Sequence, residues 1–141
     1  MTKTKILVID DEQLNVQLLD GILSTEYDVI KASSGIDALI KLEKTLPDLI
    51  LLDIMMPNMN GYAFCRQIKS DIKTKSIPVL IITALNEVED KMKAIESGAD
   101  DFLSKPVDLS ELSARVKSLL TAMKQSNIDS TSSNTHLYKV F

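Results

Sequence analysis

The sequence predicts a doubly wound α/β domain built on a five-stranded parallel sheet with strand order 2-1-3-4-5. Two observations carry this. Apolar runs alternate strictly with segments of helical period, five of each, and that alternation is the pattern of a parallel sheet with helices on both faces. Three of the runs, ILVI, LILL and VLII, are apolar without interruption, as expected of strands covered on both sides. The other two strand candidates, YDVIKA and DFLS, are mixed and belong at the edges. Strands one, three and four are then central, and the order follows.

Each element has its own signal. Lys5–Ile9 reads as the first strand. From Glu12 to Ser24, Leu14, Leu18, Leu19, Ile22 and Leu23 share one helical face. Tyr27–Ala32 alternates as a strand. Ser34 with Asp37 has the spacing of a capping box and opens a helix to about Leu46. Asp48–Leu52 is the third strand. Gly61, Phe64, Cys65 and Ile68 define the buried face of a third helix. Ile77–Ile82 is the fourth strand. Glu87–Ser97 carries Val88, Met92 and Ile95 on one side, and Gly98 is placed to stop it. Asp101–Ser104 is the fifth strand. Asp108 and Glu111 form a second capping pattern before Leu109, Leu112, Val116, Leu119, Leu120 and Met123, an amphipathic last helix. From about Gln125 the chain turns polar and Ser/Thr/Asn-rich. Residues 1–124 are therefore expected to form one domain. Residues 125–141 are expected to be a polar linker or tail, of a receiver that either stands alone or leads to an output domain.

The totals narrow the function. The 141 residues carry 20 acidic and 16 basic side chains, a net charge of -4, which argues against this segment clamping nucleic acid. A single cysteine, Cys65, allows no internal disulfide, and no Cys/His cluster suggests zinc. No apolar leader and no apolar run of spanning length occurs, so the expectation is a cytoplasmic protein without membrane contact.

The chemistry collects at the strand ends. The first strand ends in Asp10-Asp11-Glu12, the third in Asp53, the fourth in Thr83-Ala84 and the fifth in Lys105-Pro106. In a parallel sheet these lie on one rim, and the order reverses between strands one and three, where such sheets bind ligands. Two carboxylates about 4 Å apart repel by roughly 4 kcal/mol at an effective dielectric of about 20. The cluster therefore calls for a cation. Lys105 supplies one charge, and a hard divalent ion that keeps several waters, Mg²⁺, suits the remaining oxygens. On these grounds Asp53 is a metal ligand, a general base or a nucleophile. Asp nucleophiles forming acyl phosphates are known chemistry.

Four stretches, VIDDE at 8–12, LILLDIMMPNMNG at 49–61, PVLIITA at 78–84 and ESGADDFLSKP at 96–106, resemble the receiver domain of two-component response regulators. The resemblance covers about Lys5 to Lys124 and implies the (βα)5 flavodoxin-like arrangement. It implies Asp53 as phosphoacceptor, with the phosphoryl coming from a sensor histidine kinase or a phosphotransfer protein. Asp11 becomes a direct Mg²⁺ ligand, Asp10 a ligand through water or a close neighbour, and the Met55 backbone carbonyl a further one; Mn²⁺ is an alternative ion. Lys105 pairs with the phosphoryl oxygens, and its bond to Pro106 is often cis in the family. Thr83 and the Ala84 N–H turn toward the phosphate, and Phe102 takes the place of the family's switching aromatic. Lys91, Asp100, Asp101, Glu111 and Arg115 resemble the charges of a phosphorylation-promoted homodimer face. Such a protein is a phosphoacceptor that catalyses only its own phosphorylation and dephosphorylation.

Rival classes fit less well. A flavin carrier of this topology would want a Ser/Thr/Gly-rich loop after the first strand, where Asp-Asp-Glu stands, and the chain has no Trp. An aspartate-nucleophile phosphatase would usually place a second acid two residues after Asp53, where Met55 stands. A folded adaptor that never takes phosphate would have no use for the intact acid cluster.

Overall fold

The computed structural model describes residues 3–122. Its elements are β1 (Lys5–Ile9), α1 (Gln13–Leu23), β2 (Asp28–Ala32), α2 (Gly35–Lys44), β3 (Leu49–Leu52), β4 (Met55–Met56), β5 (Met59–Asn60), α3 (Gly61–Ser70), β6 (Val79–Thr83), α4 (Val88–Glu96) and β7 (Asp101–Ser104), followed by α5 (residues 109–122). The main sheet runs β2-β1-β3-β6-β7, all pairs parallel. Because β4 and β5 form a separate antiparallel hairpin, this is the predicted 2-1-3-4-5 order. Met123 and the expected linker or tail, 125–141, lie outside the described residues.

Strand residues alternate between two cores, which is why the central runs are apolar throughout. Leu7, Ile9, Ile50, Leu52, Val79 and Ile81 face α2, α3 and α4, where Ala38, Leu42, Phe64, Cys65, Ile68 and Ala94 cover them. Ile6, Val8, Leu49, Leu51, Leu80 and Ile82 face α1 and α5 and meet Leu19, Leu23, Leu112 and Val116. Fully burying a side chain of this size stabilises by about 1.5–3 kcal/mol. Both faces are therefore needed to hold the sheet.

Local chemistry sets the ends. Ser34 Oγ accepts the Asp37 N–H at 3.0 Å while Asp37 accepts the Ser33 N–H at 3.1 Å, opening α2 much as predicted. The helix stops at Lys44 rather than Leu46 because Pro47 disfavours helical backbone in the residue before it. β6 begins at Val79 rather than Ile77, since Pro78 has no N–H to give the ladder. Gly98, at φ 91°, follows the Ser97 C-cap of α4, a conformation that favours glycine. Asp108 accepts the Glu111 N–H at 3.0 Å at the start of α5.

Two helices differ from the expectation. On α1 the sheet takes Leu19 and Leu23, while Leu14 and Leu18 are exposed; the five apolar positions span too wide an arc for one contact. On α4 the small Ala94 meets the core, and Val88, Met92 and Ile95 face outward.

Candidate functional site

The acids come from two neighbouring strands. Parallel pairing sets Ile9 beside Leu52, so the next residues, Asp10 and Asp53, emerge together. The Asp53 N–H donates to the Ile9 carbonyl at 3.0 Å and the Asp10 N–H to the Ala32 carbonyl at 3.1 Å, fixing both backbones. Asp10 and Asp53 are buried, at 4% and 7% exposure. Asp11 is exposed, yet one carboxylate oxygen from each of Asp10, Asp11 and Asp53 lies within 4.8 Å of the others.

Lys105 reaches this cluster from the C-terminal end of β7. The register sets Thr83 beside Ser104, and the Lys105 N–H donates to the Thr83 carbonyl at 2.8 Å. Its ammonium donates to Asp53 Oδ2 at 3.2 Å and to Asp10 Oδ2 at 3.4 Å. The peptide bond to Pro106 is cis. Asp53 Oδ1 accepts the Met55 N–H at 3.0 Å, and Asp10 Oδ1 accepts the Glu12 N–H at 2.9 Å.

The electrostatics follow from burial. Desolvation pushes the Asp53 carboxyl above the usual aspartate range; the Met55 N–H and Lys105 oppose this, and Asp10 adds to it. Burial works against the Lys105 ammonium, but Asp53 and then Asp10 outweigh it and hold its pKa above the ordinary value. The cluster thus keeps a charged lysine and a carboxylate under stress. Three oxygens this close suit a hard divalent ion, whose charge would relieve that stress.

Of the other predicted residues, Thr83 ends β6 fully buried, its hydroxyl accepting the Leu85 N–H at 3.4 Å. Ala84 is exposed next to it. Phe102 is half-buried against the α2–α4 side. Met55 is exposed beside Asp53. Arg115 pairs with Asp101 at 2.6 Å and with Glu111 at 3.3 Å, and Lys91 lines the same recess with Phe102. Asp100 turns elsewhere. It pairs with Lys69 at 2.7 Å and accepts the Val79 N–H at 2.8 Å, bracing the start of β6.

Sequence reasoning missed Asn15. Its amide donates to Glu12 at 3.0 Å and to Asp10 at 3.4 Å. The signal was available, since three residues after Glu12 on a helix is the same face. A cavity of about 260 Å³ adjoins the acids, lined among others by Asn15, Leu18, Asp53, Lys105 and Leu109.

Comparison with known proteins agrees with this geometry. Residues 6–117 match the response regulator receiver domain. The chain therefore belongs to that family, the receiver domains of two-component signalling systems, and it is a signalling domain. It is 50% identical over 116 residues to the response regulator PleD of Caulobacter vibrioides, a match covering 82% of this chain and 26% of that one. It is 41% identical over 138 residues to the probable transcriptional regulator ycf27 of Porphyridium aerugineum, covering 97% of this chain and 54% of that one. The chain thus spans between about a quarter and about half of these relatives. A putative response regulator from Chloroflexus aurantiacus superimposes with a TM-score of 0.80 at 34% identity, covering 85% and 99% of the two chains. No helix among the described residues is long and apolar enough to cross a membrane.

Proposed function

We propose that Asp53 accepts a phosphoryl group from a phosphohistidine on a sensor histidine kinase or phosphotransfer protein. The observation that carries this is the Asp53 carboxylate, buried at the rim with Lys105 on one oxygen and the Met55 N–H on the other. That is a nucleophile held still, with a cation beside the position the phosphoryl oxygens would take.

In the transfer, an Asp53 oxygen bonds to phosphorus as the P–N bond breaks, and its electron pair returns to the donor imidazole. Asp10, Asp11, Asp53 and the Met55 carbonyl would hold Mg²⁺, or Mn²⁺ as an alternative. The ion supplies positive charge that offsets the phosphoryl oxygens. Lys105 pairs with one of those oxygens. The Thr83 hydroxyl and the Ala84 N–H donate to the others. The same site lets water hydrolyse the acyl phosphate, so the domain resets itself without serving as an enzyme for other substrates.

The added charge beside Thr83 biases a pre-existing equilibrium. Thr83 turning inward frees space that Phe102 takes, and the face of α4, β7 and α5 changes. Exposed Val88, Met92 and Ile95 beside Lys91, Asp101, Glu111 and Arg115 support that face as a homodimer surface in the phosphorylated state, while Asp100 pairs with Lys69 away from it. Residues 1–124 act as the receiver, and 125–141 are a polar linker or tail. With its net charge of -4, this segment contacts neither nucleic acid nor membrane directly.

Incubation with acetyl phosphate and Mg²⁺ followed by intact mass tests the reading. Wild type gains one phosphoryl and Asp53→Ala gains none. A phosphoryl retained by Asp53→Ala, or absent from both, overturns it. Sedimentation with and without a phosphoryl mimic tests the dimer; a monomer in both conditions counts against it.

A further inference from the structure

Helix α4 is attached by very little. Ala94 is its one buried residue, while Val88, Met92 and Ile95 face solvent. An element with so little buried apolar surface opens locally at low free energy. Two restraints hold its first turn. One is internal, the reciprocal capping box of Glu87 and Asp90. The other comes from a different helix, where the Tyr62 hydroxyl donates to the Asp90 carbonyl at 3.4 Å.

Tyr62 is tied to the acid site through the backbone. Ile54 directly follows Asp53, and Gly61 sits so close to it that a Cβ at Gly61 would lie 2.6 Å from the Ile54 Cα. The Asn60 side chain then accepts the N–H groups of Tyr62 and Ala63 at 3.0 and 3.2 Å. A shift of the Asp53–Ile54 backbone therefore carries the first turn of α3 with it. The resulting chain of contacts runs from Asp53 through Ile54, Gly61 and Tyr62 to Asp90. It shares no residue with Thr83 or Phe102.

Resting on the function proposed above, we infer that Tyr62 is a positioning residue that latches α4 in the unphosphorylated domain and releases it when Asp53 is loaded. The bond is longer than the usual hydroxyl hydrogen bond, which suits a contact that is made and broken during signalling. α4 is the two-state element, and the site biases it through the seat of Gly61 on Ile54.

Hydrogen exchange of the α4 amides, read by mass spectrometry, tests this with Tyr62→Phe, which keeps the ring and removes only the hydroxyl. Without phosphodonor, exchange in the first turns of α4 rises about twofold in the variant, the low end of the range for one net hydrogen bond, as suits a long one, while α3 and β6 are unchanged. Acetyl phosphate with Mg²⁺ raises the same amides in wild type and scarcely changes them in Tyr62→Phe. Asp90→Ala, which removes the capping box but keeps the carbonyl, loosens α4 and retains the response to phosphoryl. Equal α4 exchange in wild type and Tyr62→Phe overturns the latch. An equal response to phosphoryl in both overturns the coupling. Intact mass taken on the same samples separates these outcomes from failure of the proposed function: if no sample gains phosphoryl, the coupling falls with that function, and the latch is decided by the donor-free comparison.

Discussion

The ammonium of Lys105 lies 3.2 Å from Oδ2 of Asp53, across 52 residues of sequence. This pair makes the acid cluster tolerable, because Asp10 shares the same ammonium. Removing Lys105 leaves two buried carboxylates without a counter-charge, and removing one partner of such a pair is the costly change. Lys105→Ala should lower the stability of the metal-free protein by about 2 kcal/mol, below the fully buried range because the site opens to solvent at one side. The same substitution in an Asp53→Asn background should cost less. Urea unfolding of the four proteins in a double-mutant cycle reads the difference.

The raised pKa of Asp53 has a stability consequence of definite sign. The folded protein binds this proton more tightly than the unfolded chain, so ionised Asp53 weakens the fold. Its favourable contribution is present below the unfolded value, about 3.9, and is lost as pH rises through the folded value. Asp53→Asn should therefore stabilise the metal-free protein at pH 7, because the burial of an ionised carboxylate is relieved first and the repulsion from Asp10 with it. That advantage should shrink as pH falls toward the aspartate range. Thermal melts of both proteins between pH 4 and 8 measure it, and an advantage that grows on acidification would contradict the assignment.

Divalent ion should act in the opposite direction. At about ten times its Kd, Mg²⁺ adds about 1.4 kcal/mol to the stability of wild type, a rise in Tm of about 4 °C. Chelator should reverse it. Asp11→Ala should abolish the gain while leaving metal-free stability nearly unchanged, because the Asp11 side chain is exposed. Melts with and without Mg²⁺ decide the matter.

Gly61 offers a packing test away from the charges. A methyl group there would press on the Ile54 backbone, which cannot move without disturbing the end of β3. Gly61→Ala should destabilise by about 1–3 kcal/mol, as overpacking does, even though alanine is the better helix former. A denaturation midpoint equal to wild type would show that α3 slides freely over Ile54.

Much of this was readable in advance, and the failures share a cause. Continuous apolar runs report burial on both faces, so the central and edge strands sorted themselves. Parallel topology then gathers strand ends, so the order of the elements alone brings Asp10, Asp53, Thr83 and Lys105 to one rim. Patterns shorter than a period carry no such signal. The β4–β5 hairpin has two residues per strand and depends on Pro57 followed by Asn58 at φ 59°, a turn type that requires a left-handed second residue. Periodicity also does not say which apolar residues win the core. On α4 the winner is Ala94, and the larger Val88, Met92 and Ile95 stay outside. The pairing of Asp100 with Lys69 and the Val79 N–H joins a loop to a helix and a strand, and one-dimensional spacing does not encode it.

The rim that gathers Asp10, Asp53, Thr83 and Lys105 draws on four strands, and its residues lie up to 95 positions apart. No fragment of the chain owns this receptor; it exists only once the whole sheet has closed. A truncated, half-folded or locally melted copy lacks the assembled cluster, and on the function proposed above it would take no phosphoryl. On that reading the domain would screen its own integrity, since only finished molecules could be loaded.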